Sequence, residues 1–368
     1  MKKKIILAFG TRPEAIKFAP IYSLLKKHKD FEPVVCITSQ HKELLKQVLD
    51  FFDIKVDHDL SLMKENQDLN ELNASIIEGF NKILSKSNPD YVLVQGDTNS
   101  AMSCALASFY KNIKVGHIEA GLRTYNKLSP FPEEVNRCLI SQIANYHFAP
   151  TTTAKNNLLA EGINHDLISV TGNTVIDALM MSLKKLEIKN PLDLDDHERL
   201  NKNKILITLH RRENFGISHK DILEGINFLS DKFKKFRFIF PVHPNPNIRE
   251  QVTKTLGLNK NIEIINPLDY GSFLKELSES YLVISDSGGI QEEAPSFKIP
   301  VLVTRETTER PEGVTNGTSI LISSKESLIE NFSSIVNNKD EYLRIGNISN
   351  PFGDGNASKR IIEKINEQ

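Results

Sequence analysis

Cysteine is scarce. Cys36, Cys104 and Cys138 are the only three in 368 residues, and they stand in apolar or helical contexts without metal-ligand spacing. That excludes a disulfide scaffold and a cysteine-built metal centre, and it fits reduced core thiols in a cytoplasmic protein. An excess of charge of either sign is also lacking. The 46 Lys and Arg against 47 Asp and Glu leave a net charge of −1, which gives no electrostatic basis for binding nucleic acid or an anionic membrane. Any positive potential must be local. Long apolar runs are missing too, and none approaches the roughly 20 residues of a membrane-spanning helix. Ile5–Phe9 follows three lysines as a signal-peptide core would, but it is too short for one and reads as a first strand. No internal repeat or low-complexity tract is evident. No GxGxxG follows the first strand, so a nicotinamide or flavin dinucleotide is not indicated, and no other cofactor is either.

What remains is an ordinary soluble composition, 39% hydrophobic and 25% charged, in a chain long enough for two domains. The chain is organised around Ser285-Asp286-Ser287-Gly288-Gly289-Ile290-Gln291-Glu292-Glu293. An apolar strand, Tyr281–Ile284, runs into a glycine turn and then into the first turn of a helix. Glycines let the backbone approach a ligand, and helix-start N–H groups attract anions. Ser287 can add a hydroxyl donor and Glu293 can accept from sugar hydroxyls. Taken alone, Ser-Gly-Gly is a helix-capping turn; its neighbours along the chain argue for a phosphate-bearing ligand.

The first half alternates β and α without hairpin signals. Strands are expected at 5–9, 34–38, 91–94, 114–118 and 146–149, with a strand-turn-helix at 170–177 and helices at Pro13–Lys27, up to Phe52 and over 70–85. Residues 53–66 read as irregular. This pattern predicts a doubly wound parallel sheet. Arg12 and Lys17 then stand at a strand's C-terminal edge, where open α/β sheets bind ligands and where two cations suit a diphosphate. Asp97, Glu119 and Glu133 fall on three consecutive strand-edge loops. Crowded carboxyls push their pKa values apart, which supplies an acid and a base near neutral pH. The structural alternative is ion pairing with Arg12, Arg123 and Arg137, or, for Asp97, an N-cap.

The polar stretch 184–203 reads as an interdomain linker or surface excursion. It separates a domain 1–183 from a domain 184–353, with residues 354–368 forming a last helix. A second α/β series follows, with strands at 205–209, 237–242, 262–265, 281–284, 300–303 and 319–322. His210, between a strand end and two arginines, and Arg310 join the glycine turn on the ligand edge. The expected fold is α/β, with two Rossmann-like parallel-sheet domains facing a central cleft.

At this point the ordered motifs become specific. GTRPEAIKFAP (10–20), QGDT (95–98), GHIEAGLRT (116–124), SPFPEEVNR (129–137), TGNTVIDAL (171–179), HRREN (210–214), PVHPNP (241–246), SDSGGIQEEAP (285–295) and TTERPEGV (307–314) run nearly end to end. The chain resembles the non-hydrolysing bacterial UDP-N-acetylglucosamine 2-epimerases. The resemblance implies a glycosyltransferase-B type fold with the last helix packing back on the first domain, a homodimer, and no cofactor or metal. It implies reversible C2 epimerisation of UDP-N-acetylglucosamine to UDP-N-acetylmannosamine, by elimination of UDP to 2-acetamidoglucal and re-addition, for surface polysaccharide synthesis. Asp97, Glu119, Glu133 and His210 would be catalytic. Arg12, Lys17, Phe273, Ser287, Gly288, Gly289, Glu293 and Arg310 would bind substrate.

Relatives also bind UDP-N-acetylglucosamine at an allosteric site. The positions matching that motif are Gln40, Glu133, Arg211 and His243, and the chain departs from it at two others, Glu43 and Asn66. Glu43 replaces a glutamine, and Asn66 replaces the arginine of some relatives, which removes a phosphate contact. The alternatives are a hydrolysing epimerase releasing N-acetylmannosamine and UDP, an epimerase of another UDP-2-acetamido sugar, a glycosyltransferase-B type transferase, or a UDP-sugar sensor without turnover.

Overall fold

The computed structural model describes residues 2–39, 42–62, 67–209, 219–242 and 246–367. The chain divides into two compact units, Met1–Met181 with Phe352–Gln368, and Ser182–Pro351. In the first unit the strands are β1 (Lys3–Phe9), β2 (Phe31–Ile37), β3 (His58–Asp59), β4 (Tyr91–Gln95), β5 (Lys114–Ile118), β6 (Tyr146–Ala149) and β7 (Ile168–Val170). In the second they are β8 (Lys204–Thr208), β9 (Arg237–Pro241), β10 (Ile262–Ile265), β11 (Ser280–Ser285), β12 (Val301–Val303) and β13 (Ser319–Leu321).

All described pairings are parallel, in the orders β3-β2-β1-β4-β5-β6-β7 and β10-β9-β8-β11-β12-β13. Each sheet therefore reverses its winding once, between β1 and β4 and between β8 and β11. Helices on both faces bury the central strands, which explains their unbroken apolar runs: Ile5 through Phe9 are fully buried, as are Leu282, Val283 and Ile284. The fold class is α/β with two Rossmann-like parallel sheets, as the β-α alternation predicts.

Two local readings differ from the sequence. The stretch expected to be irregular contributes β3, a two-residue edge strand paired to Cys36 and Ile37, too short to leave an apolar signature. The polar stretch 184–203 holds the helix Asp196–Leu200, and its Arg199 is fully buried. The Arg199 guanidinium donates to Asp196 at 3.0 Å and to Asn347 at 2.9 Å and lies over the Tyr342 ring, which stacks on Tyr281. A charged side chain can thus anchor a segment whose composition reads as solvated.

The last helix, Ala357–Asn366, belongs to the first unit. Its first amides, of Ala357 and Ser358, donate to the Asp177 carboxylate at 3.2 and 2.8 Å, and Arg360 donates to the Thr171 carbonyl at 2.9 Å. Asp177 satisfies orphan helix-start donors from far away in sequence.

His117 and His147 face each other in register across β5 and β6. Burial pushes His117 down to about 3 and His147 down to about 4, from 6.5. Both are neutral in the fold and protonate in the unfolded chain below pH 6.5, so acid unfolding takes up protons. Stability is therefore predicted to fall as pH drops from about 6.5 toward about 4, and His147→Phe should flatten that slope. Urea midpoints measured across this range check it; identical slopes for both proteins would contradict it.

Candidate active site

In doubly wound sheets the crevice at the winding reversal collects ligands, because the loops from adjacent strands diverge there. In the first unit those loops follow β1 and β4. Gly10 has no room for a side chain: a Cβ would collide with the hydroxyls of Thr38 and Ser100, which bond to each other at 2.6 Å. Thr11 caps the helix Arg12–Lys27, and Glu14 completes the capping box. The buried Glu14 carboxylate does more. It accepts from the amides of Gly10 and Thr11 at 3.0 and 2.8 Å, from the Thr11 hydroxyl at 2.8 Å and from the Thr98 hydroxyl at 2.7 Å. One side chain thus ties the β1 loop to the β4 loop. Burial raises its pKa, and the Thr98, Gly10 and Thr11 hydrogen bonds partly offset this.

Arg12 opens this helix, and Lys17 is buried one turn further on, paired with Glu119. Glu119 itself adopts a left-handed φ of 64°, an uncommon conformation for a residue with a Cβ and a recurrent one at functional sites. Its carboxylate accepts from Lys17, from the Gln95 amide and, at 2.9 Å, from Asn173. Donors from three separate elements therefore hold one carboxylate.

Asp97 follows β4. It is not the N-cap of the next helix, because Thr98 takes that place, with its side chain accepting from the Ala101 amide at 3.0 Å. Asp97 instead pairs with Arg137. The helix Glu133–Ile143 presents Glu133, Asn136 and Arg137 at spacings that share one face. Asn136 donates to the Asp97 carbonyl and to Asn99, both at 2.9 Å. One Glu133 carboxylate oxygen is buried with no hydrogen-bond partner. Burial raises the Asp97 pKa most strongly; Arg137 opposes this, and the Glu119 and Glu133 carboxylates raise it further.

The structure thus brings Asp97, Glu119 and Glu133 into one electrostatic cluster, with Lys17 and Arg137 as counter-cations. Arg123 is elsewhere: its buried guanidinium forks onto Glu161 at 2.6 and 2.7 Å. Glu134 is also occupied, accepting from the Thr124 and Tyr125 amides at 3.0 and 2.9 Å.

In the second unit the loops of interest follow β8 and β11. The Thr208 hydroxyl donates to Ser285 Oγ at 2.7 Å, which in turn accepts from the Ser287 amide at 3.0 Å, tying the two strand ends together. The helix Gly288–Glu293 starts at once, and Ser287 does not cap it with its side chain. A Cβ on Gly288 would lie 2.5 Å from Arg310 Nη1, so glycine is what lets the guanidinium rest against the helix start. Glu292 accepts from Arg310 Nε at 2.7 Å and Glu309 lies 3.3 Å from its Nη1. Among the described residues, the Cβ position of Gly289 meets only Ser287 Oγ, at 4.0 Å. Buried Glu293 accepts from the Tyr270 hydroxyl at 2.9 Å. Tyr270 starts the helix that carries half-buried Phe273.

His210, Gln40, Asn66, Arg211 and His243, and the side chain of Glu43, lie outside the described residues. Among the described residues no group of His, Cys, Asp or Glu is arranged to hold a metal ion, and no helix is long and apolar enough to cross a membrane.

A catalytic-type carboxylate cluster in one sheet and an arginine-backed glycine turn in the other narrow the comparison with known proteins. The family model described as UDP-N-acetylglucosamine 2-epimerase matches residues 23–366. The chain belongs to that family. It is 49% identical to the UDP-N-acetylglucosamine 2-epimerase of Neisseria meningitidis, over 98% of this chain and 99% of the relative. Among solved structures it is similar to the N. meningitidis UDP-GlcNAc 2-epimerase bound to UDP-GlcNAc, with TM-score 0.91, 48% identity, and coverage of 99% of this chain and 100% of that one. It is also similar to the S. aureus MnaA-UDP co-structure, with TM-score 0.90, 43% identity, and coverage of 100% of this chain and 96% of that one. These neighbours share the glycosyltransferase-B type fold class.

Within this family member, sequence reasoning overlooked Glu14, Gln95, Asn136 and Asn173. A capping-box spacing, Thr11 to Glu14, was the available signal for the first. The others are neutral amides whose partners come from distant loops. Gly10→Ala is predicted to destabilise the fold by about 1–3 kcal/mol through overpacking, read from the urea midpoint, whereas Gly289→Ala leaves the midpoint unchanged. Equal midpoints for the two variants would contradict the packing described.

Proposed function

We propose that this protein interconverts UDP-N-acetylglucosamine and UDP-N-acetylmannosamine without hydrolysis. Family membership and relatives named for this activity support the substrate. The observation that carries the chemistry is the cluster of Asp97, Glu119 and Glu133, with the Asp97 pKa raised by burial and by its two carboxylate neighbours.

The C2–H bond of the sugar is too weakly acidic for simple deprotonation. Elimination solves the problem: a carboxylate takes the C2 proton, the C1–O bond breaks with its electron pair leaving on UDP, and 2-acetamidoglucal forms. Reprotonation of C2 on the opposite face and return of UDP oxygen to C1 complete the inversion. Two acid–base groups are needed, drawn from Asp97, Glu119 and Glu133. Asp97, holding its proton more tightly than an ordinary carboxyl, is suited to give as well as take it. The diphosphate leaving group needs cations and amide dipoles, the part assigned to Arg12, Lys17, His210, Arg310 and the Ser287-Gly288-Gly289 turn. Glu293 would hold the ribose and Phe273 the nucleoside. In this reading the enzyme is a cytoplasmic homodimer serving bacterial surface polysaccharide assembly.

The test is incubation with UDP-N-acetylglucosamine in deuterium oxide, followed by proton NMR. UDP-N-acetylmannosamine carrying deuterium at C2 is expected. A product still protiated at C2, or free N-acetylmannosamine and UDP as the first products, would overturn the reading. Asp97→Asn should lower kcat by about 10²–10⁴-fold while UDP affinity, from calorimetry, stays within about threefold.

A further inference from the structure

We propose that Asn173 is a positioning residue that aims the Glu119 carboxylate, and that the C-terminal segment holds Asn173 in place to do so; this rests on the acid–base role proposed for Glu119. Asn173 is buried in the turn between β7 and the helix Thr174–Lys185. Its side-chain oxygen accepts from the Val175 amide at 3.1 Å, which orients the NH2 group toward Glu119 Oε1, 2.9 Å away. The rotation of the amide is therefore set by its own turn, and its donor has one direction.

The turn is in turn set by the end of the chain. The Asn173 amide donates to the Phe352 carbonyl at 2.7 Å, and Arg360 donates to the Thr171 carbonyl at 2.9 Å. Gly172 has a φ of 88°, and its Cβ position lies 3.4 Å from Gly353, so the two glycine backbones pass closely. Asp177, on the helix that Asn173 precedes, receives the first amides of the last helix. Two hydrogen bonds and a close glycine contact thus join residues 352–360 to the turn that carries Asn173, and Asp177 ties them to the helix after it.

Glu119 needs such an aim because its backbone is in the left-handed region and its side chain is steered from several directions. Lys17 from the first helix and Gln95 from the end of β4 also bond to it, and Asp97 and His117 act on it or are acted on by its charge. Buried Lys17 and Asn173 both donate to Glu119 Oε1, the lysine through a long side chain and Asn173 from a turn fixed by the Val175 and Phe352 hydrogen bonds. Removing Asn173 leaves Oε1 to Lys17 among these donors, while Gln95 still holds Oε2.

Asn173→Asp isolates this role, because it keeps the shape and the acceptor for Val175 but replaces the donor to Glu119 with a negative charge. The expected result is a kcat lower by about 10²-fold, with UDP affinity within about threefold of the parent. The acidic limb of the kcat–pH profile should move to higher pH, since an added anion beside Glu119 disfavours its charged form. Asn173→Ser, which retains a short acceptor but cannot reach Glu119, should lower kcat by about tenfold without moving that limb. Circular dichroism and the thermal midpoint identify folded variants. A folded variant of either kind with the parent's kcat overturns the proposal, as does an Asn173→Asp limb left in place. Parent enzyme that fails to exchange deuterium at C2 would instead indict the reaction assigned above, so the two failures are distinguishable.

Discussion

Much of the first unit depends on one electrostatic constraint: three carboxylates and two buried cations share the ligand edge of a parallel sheet. Two unit charges about 4 Å apart interact by about 4 kcal/mol at the effective dielectric of a protein surface. An unbalanced cluster would therefore be costly, and buried cations pair with two of its three carboxylates. Lys17 serves Glu119, Arg137 serves Asp97, and Glu133 retains a buried oxygen with no hydrogen-bond partner. Neutral amides from Gln95 and Asn173 also donate to Glu119, and Asn136 holds the Asp97 backbone carbonyl. Such a cluster is poised, since a proton added to one carboxyl changes the environment of the other two.

The second unit meets a different demand with the same architecture. Its glycine turn keeps Gly289 clear of the other described residues, apart from Ser287 Oγ at 4.0 Å, while Gly288 admits the Arg310 guanidinium. Glu292 and Glu309 hold that guanidinium in turn. A planar cation beside a helix start matches a phosphate better than a flexible ammonium does. Both winding reversals are also braced by hydroxyl and carboxylate links between adjacent strand ends, Glu14 to Thr98 in one sheet and Thr208 to Ser285 in the other. The braces place loop residues with the rigidity of the sheet.

The legible part of the sequence was its periodicity. Unbroken apolar runs marked the strands of both sheets other than the short β3 and β7, with β5 and β6 expected over the very residues they occupy, and the turn residues after them marked the ligand edges. Side-chain partnership was less readable. Asp97 read equally as an N-cap, because Asp and Thr are both good caps and only the fold shows that Thr98 takes the role. Arg123 read as a counter-ion to the carboxylates but pairs with Glu161, 38 positions away at the C-terminal cap of the helix Thr152–Ala160. Arg199 lay in a stretch that looked solvated, because composition does not reveal a buried guanidinium whose partners come from residue 347. Gln95 and Asn173, which carry no charge signature, were not singled out although both donate to the Glu119 carboxylate.

The central claim, that crowding of carboxylates tunes Asp97, is most directly tested by measuring the Asp97 pKa through the carbon-13 chemical shift of its carboxyl group, in the parent and in Glu119→Gln. The account predicts a value above the ordinary 3.8 in the parent and a lower one in the variant. An Asp97 that titrates at or below 3.8, and does not respond to the loss of the Glu119 charge, would contradict it.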